Sequence, residues 1–443
     1  MDYTAVLRNF ADQRDLMEDR IQSGIEAHRK GWFRIDLTDP DGNPVEGAKI
    51  TVKQKSHAFR FGCNIFKLGC FKADEENALY EERFKALFNM ATLPFYWSDF
   101  EPEDGMMRFE KDAPFIDRRI PPELALEFCR ENGIEAKGHP LFWQVMVPKW
   151  LPQDYEQMKK YWTRRLAAIA ERYDGVIDSF DVVNECTSVP LTADEPKKGD
   201  THYRNFVPLS GKYPEWAFEQ TAHYFRKSRL VLNETASPWK DFRYELSPYY
   251  LLAENLLTKG AKIDVVGLQY HNFVRPEAWA DLADREYNPQ WLYKVMDCYA
   301  KLGRPLSITE ITVPGYDEEI QAEIVSNLYR IWFSHPAMES IIYWNMGDNC
   351  SITENNSGKG WGEDAYRGGF TRNDFSKKPV FDRLEDLIHR QWHTDLTMDT
   401  SGDHVWFKAF YGDYEVTVER NGHKTTRELH LDKNGWERFF FEV

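Results

Sequence analysis

The chain has 443 residues, of which 42% are hydrophobic and 15% aromatic, and its formal net charge is −16. That length supports a large core and more than one domain, while the acidic balance excludes a nucleic-acid partner, which needs clustered Lys and Arg. A neutral polymer such as a polysaccharide is compatible with it, and the many Trp and Tyr rings suit both core packing and the stacking of sugar C–H faces.

From the N-terminus, residues 4–29 are predicted to be helical, with Val6, Phe10, Met17, Ile21 and Ile25 as an apolar stripe and Gly31 as the stop. No apolar leader precedes them, and no run reaches the ~20 apolar residues of a membrane helix. The chain is therefore expected to be cytoplasmic, or secreted after loss of a signal peptide, with no membrane partner. The stretches 32–37 and 48–52 alternate in polarity around turn residues at 39–44 and predict a hairpin. A lone hairpin is marginal in water. Four more short strands at 405–410, 414–418, 426–431 and 437–441 are expected to complete it as a small β-sandwich built from both chain ends. The domain reading is a helix over 1–30, a sandwich from 31–57 with 400–443, and a barrel over 58–399.

Between the ends lies a βα alternation. Strands are expected at 59–62, 90–93, 135–139, 177–183, 230–233, 265–269, 306–309 and 341–344. Helical patterns fall between them, such as those at 123–131, 158–173, 216–225, 248–257 and 318–333, and every strand but the first is followed by a helical pattern. Eight such units close a (β/α)8 TIM barrel. An open doubly wound sheet would carry a glycine-rich phosphate loop after its first strand, and none is present. The six cysteines, Cys63, Cys70, Cys129, Cys186, Cys298 and Cys350, form no Cys-x-x-Cys pair. Reduced thiols are expected, with no metal or cofactor.

Two of the strands finish on carboxylates. The run 177–183 ends in Asn184-Glu185, and 305–309 ends in Glu310. Barrel chemistry sits at the C-terminal strand ends, and a pair of glutamates is what glycosidic cleavage requires. Either residue alone also reads as a first-turn helix glutamate.

The surrounding motifs carry more. Asp181-Val182-Val183-Asn184-Glu185, Ile308-Thr309-Glu310, Gly138-His139-Pro140-Leu141-Phe142-Trp143, Gly267-Leu268-Gln269-Tyr270-His271, Leu232-Asn233-Glu234, Phe88-Asn89-Met90-Ala91-Thr92, Glu101-Pro102-Glu103-Asp104-Gly105 and Lys378-Pro379 lie in order along residues 58–395. Together they resemble glycoside hydrolase family 10, the (β/α)8 β-1,4-xylanases. The resemblance implies Glu185 as general acid/base, Glu310 as nucleophile, and carboxyls ~5–5.5 Å apart in the retaining geometry. It implies Asn184 on the sugar 2-hydroxyl and His271 orienting Glu310. It also implies His139, Trp143, Gln269, Trp344 and Trp97 around the sugar, although the histidines and Trp344 also read as core residues.

The chain departs from the family pattern at several positions. Leu93-Pro94-Phe95-Tyr96-Trp97 stands where the family carries a Glu-Asn pair and a Lys before its Trp. Gln144 replaces a His, Thr312 an Asp, and Cys350-Ser351-Ile352 a Ser-Trp, with Trp361 as a candidate substitute. The expected substrate is β-1,4-xylan or xylo-oligosaccharides. Another decorated β-glycan, a plant glycoside, or non-catalytic carbohydrate binding are the alternatives.

Overall fold

The computed structural model describes residues 3–152, 154–188, 212–353, 362–433 and 435–443. In chain order the strands are β1 (Lys30–Thr38), β2 (Ala48–His57), β3 (Arg60–Asn64), β4 (Met90–Pro94), β5 (Glu135–His139), β6 (Ser179–Asn184), β7 (Arg229–Glu234), β8 (Val265–His271), β9 (Leu306–Thr312), β10 (Met338–Tyr343), β11 (Asp395–Thr400), β12 (His404–Phe410), β13 (Gly412–Arg420), β14 (His423–Leu431) and β15 (Arg438–Glu442). Strands β3 to β10 form one closed parallel barrel in sequence order, with β10 returning to β3. All eight expected strands are in it. Their residues are buried almost throughout, as in β9, because side chains fill the barrel interior on one face and helices cover the other. Gly138 is required where β5 meets β6: a Cβ there would lie 2.3 Å from the Phe180 ring.

The first barrel strand is followed by a helix after all, Asp74–Leu87. Its buried residues, Tyr80, Phe84 and Leu87, fall at the i, i+4, i+7 spacing of a helix within an otherwise polar run. The N-terminal segment is helical but broken. A 3-10 turn, Thr4–Leu7, leads into Arg8–Asp12 and then Arg14–His28. At the break, Gln13 bonds Asn9 and Asn288 with its amide. Gly31 does not stop the helix; it lies inside β1, where a Cβ would meet the Tyr411 ring at 2.9 Å.

The expected hairpin does not form. Strand β1 lies in a three-stranded sheet of order β12-β1-β15, and β2 in a four-stranded sheet of order β11-β2-β13-β14. The two sheets face each other across one core that includes Phe33, Ile35, Leu37, Ile50, Val52, Phe407, Val416, Val418 and Phe441. Separation lets the apolar sides of both strands meet face to face, which pairing within one sheet would prevent. The sandwich is thus made from both chain ends. Strand β11, assigned to the barrel from sequence, pairs with β2 along six residues. Among the described residues no helix is long and apolar enough to cross a membrane, and all six cysteines are free.

Candidate active site

Glu185 follows the last residue of β6 and has φ of 55°, a left-handed conformation rare for a glutamate. Its backbone is held on both sides. Its N–H donates to Asn233 O at 3.0 Å, and Gln144 Nε2 donates to its carbonyl at 3.2 Å. Buried Glu234 secures the loop beyond, accepting from the N–H groups of Thr187 and Thr235, both at 2.9 Å. The Glu185 carboxylate accepts from Trp143 Nε1 at 3.1 Å and from Gln269 Nε2 at 3.2 Å.

Glu310 lies on β9 and is 4% exposed. Its Oε1 accepts from Asn233 Nδ2 at 2.9 Å. His271 Nε2 lies 3.1 Å from Oε2, and His139 Nε2 lies 3.9 Å from Oε1. Strand register brings these groups together. Asn184 is level with Asn233, Gln269 with Glu310, and His271 with Thr312. The Asn184 Oδ1 therefore receives both Asn233 Nδ2, at 2.8 Å, and Gln269 Nε2, at 3.1 Å. One amide chain, Gln269–Asn184–Asn233, connects the two glutamates.

Burial raises the Glu185 carboxyl, and the nearby Glu310 raises it further. Burial also pushes Glu310 up to about 7, against the opposing pull of His139. His271 is pushed down to about 4 by burial. A neutral His271 donates Nε2–H to Glu310 while its Nδ1 accepts from the Thr312 hydroxyl, 2.9 Å away. Behind the site, His139 Nδ1 is 2.7 Å from Asp181 Oδ2, which also takes Lys137 Nζ. Burial alone would raise Asp181, but Lys137 and His139 outweigh it and hold the carboxylate below its ordinary range.

Aromatic rings border the pair. Trp344 follows β10 and sets its edge against His139 and His271, with centroids 5.5 and 6.0 Å away. It packs with Phe66 and Tyr96, and Trp143 lies against them. Trp97, expected at the sugar, is not brought here. It is buried in the main core beside Trp162, with Nε1 bonded to Glu101 at 2.8 Å. Its neighbour Tyr96 takes the position, 5.5 Å from His139. The short helix Trp97–Phe100 begins between them and turns consecutive side chains to different sides. Trp361 lies outside the described residues. Sequence reasoning missed the bridging role of Asn233, although its Leu-Asn-Glu segment was in view. Among the described residues no cluster of three or more His, Cys, Asp or Glu could hold a metal ion.

A closed (β/α)8 barrel with two amide-linked glutamates at the C-terminal ends of its strands is the architecture of the barrel glycoside hydrolases. The glycosyl hydrolase family 10 model matches residues 56–386, more than half of the chain, and the chain belongs to that family. The chain is 25% identical over 417 residues to anti-sigma-I factor RsgI6 of Acetivibrio thermocellus, covering 90% of this chain and 46% of that protein. It is 26% identical over 343 residues to endo-1,4-beta-xylanase 5 of Arabidopsis thaliana, covering 76% of this chain and 54% of that one. The chain thus spans about half the length of these curated relatives. In fold it is similar to xylanase 10B from Thermotoga petrophila RKU-1, solved with xylobiose, at a TM-score of 0.58 and 22% identity, over 75% of this chain and 95% of that one.

Proposed function

We propose that the protein is a retaining glycoside hydrolase that cleaves β-1,4-linked xylan or xylo-oligosaccharides by double displacement. The observation that carries this reading is the pair of carboxyls, partly buried Glu185 and buried Glu310, joined through Gln269, Asn184 and Asn233. In the first step Glu310 attacks the anomeric carbon while Glu185 gives its proton to the departing glycosidic oxygen. The glycosidic C–O bond breaks and a glycosyl–Glu310 ester forms. In the second step Glu185, now ionised, takes a proton from water, whose oxygen attacks the same carbon and frees Glu310. Two raised carboxyls near each other share protons, as this division of labour needs. Asn233 and His271 donate to Glu310 against the burial that raises it, and the reaction starts from the form in which Glu310 is ionised and Glu185 holds the proton. Asn184, whose oxygen is already engaged, has its NH2 left for the sugar 2-hydroxyl. Membership of the family and the relatives' xylanase names support the substrate.

The test is the Glu310→Gln variant with stereochemical analysis. Turnover of aryl β-xylosides and xylan should vanish while xylo-oligosaccharide binding, read by calorimetry, persists. A 2-fluoro-glycoside should label Glu310 in the parent, and the first product should keep the β configuration. An inverted product, or a label on another residue, overturns the mechanism. The second reading is non-catalytic carbohydrate binding on the same fold; the long match to a protein whose name, anti-sigma-I factor, is not that of an enzyme leaves it in play. That reading holds if the parent binds xylo-oligosaccharides and cleaves no β-glycoside at all.

A further inference from the structure

One cation at the barrel mouth has no part in the reaction above. Arg118, in the connection between β4 and the helix Pro122–Glu131, is 5% exposed. Its φ is 62°, a strained backbone for a long side chain, and such strain marks places where direction is imposed. Its Nη1 donates to Asn345 Oδ1 at 3.1 Å, while its Nε is buried with no hydrogen-bond partner. Among the described residues it forms no ion pair. The acidic group whose field reaches it, Glu363, instead accepts from Asn345 Nδ2 at its Oε2. Arg108, comparably buried, shows the contrast: all three of its nitrogens reach backbone carbonyls. The adjacent Arg119 is also engaged, with Asp99 at 2.9 Å. A buried guanidinium left this unsatisfied is costly unless a ligand completes it.

Its position ties Arg118 to the chemistry. Asn345 directly follows Trp344, whose ring touches the two histidines beside Glu310. The guanidinium lies 5.8 Å from the Phe66 ring, and Phe66 packs with Tyr96 and Trp344. The Tyr96 hydroxyl, raised by burial, feels Arg119, Glu310 and Arg118 together. One aromatic group, Phe66, Tyr96 and Trp344, therefore adjoins both the cation and the histidines beside the nucleophile.

We propose that Arg118 anchors a carboxylate on the substrate, so that the site prefers β-glycosides carrying a uronic acid to neutral ones. The proposal rests on the hydrolase reading and names its substrate class. A planar guanidinium fork matches a carboxylate with paired hydrogen bonds. In a chain of net charge −16, a reserved buried cation is a means of selecting an acidic sugar.

The experiment compares kcat/KM on xylo-oligosaccharides of equal length, with and without one glucuronic acid, for the parent, Arg118→Gln and Arg118→Lys. The parent should favour the acidic substrate tenfold or more, mainly through KM. Arg118→Gln should erase that ratio, and Arg118→Lys should restore part of it. Equal losses on both substrates in Arg118→Gln would reduce Arg118 to a structural prop. A parent with no acidic preference overturns the proposal even if the variants fail to fold. Binding of the same two oligosaccharides to Glu310→Gln, by calorimetry, reads the preference without turnover. If no glycoside is cleaved, the hydrolase reading falls while the ratio of Kd values still decides the role of Arg118.

Discussion

Glu310 is asked to act as an anion in a place that favours its neutral form. Its carboxyl is pushed up to about 7 and Glu185 is also raised. Attack needs Glu310 ionised, so kcat/KM should fall as pH drops through about 7; protonation by Glu185 sets the alkaline limb. Thr312 makes this limb tunable. It offers His271 a neutral partner, whereas Thr312→Asp would draw a second proton onto the ring. A cation beside Glu310 favours its carboxylate. The acid limb of Thr312→Asp should therefore move to lower pH, and an unmoved limb would show that His271 does not couple to the nucleophile. The same burial has a stability cost. A carboxyl whose folded value is raised weakens the fold as pH rises through that value, and not below the unfolded value of about 4.5. Glu310→Gln should thus be more stable than the parent at pH 8.5, on the order of 2 kcal/mol, with the gain gone at pH 4 in thermal melts. Glu185 and Glu310 were legible in the sequence because each ends an apolar run. Asn233 was not, since its reach to both Asn184 and Glu310 depends on strand register.

The barrel strands were legible as elements because burial on both faces leaves short apolar runs with polar ends. The accessory strands were legible as strands but not as partners. Alternation in β1 and β2 tells which side is apolar, and says nothing of which strand lies beside which. Long-range packing decides the N-terminal helix as well. The helix Arg14–His28 buries Met17 and Ile21, and Gly24 lets it approach the end of the helix Glu318–Ser334. A Cβ at Gly24 would lie 2.4 Å from Ser334 O, a backbone atom with little freedom to move. In an isolated helix, Gly to Ala gains about 1 kcal/mol. Here the clash should win and Gly24→Ala should lower the melting temperature, while activity per folded molecule is kept. A stabilised variant would mean that the helix is free to shift away from the barrel.

At the scale of the whole molecule, the two chain ends close one structure. Gln54 and Thr394 exchange hydrogen bonds of 3.1 and 2.9 Å where β2 meets the start of β11. Arg29 fastens the start of β1 to the barrel, its Nη2 donating to His335 O and Met338 O at 2.6 and 2.7 Å. Every strand that pairs with β1 or β2 comes from beyond residue 394. A chain cut there keeps the closed eight-stranded barrel and loses all of those partners. It would bare Phe33, Ile35, Leu37, Ile50 and Val52, each at most 1% exposed in the intact protein. At about 2 kcal/mol for each buried side chain, these five amount to roughly 10 kcal/mol, comparable with the net stability of a typical domain. The 1–394 fragment should therefore aggregate or melt early, its bare edges inviting non-native pairing. Because the missing strands all lie in one continuous piece, co-expression with residues 395–443 should rebuild the sandwich without a covalent link. Copurification of the two fragments, with the melting temperature brought back towards that of the intact chain, is the expected result. A soluble, fully active 1–394 fragment would show instead that the barrel does not depend on the sandwich.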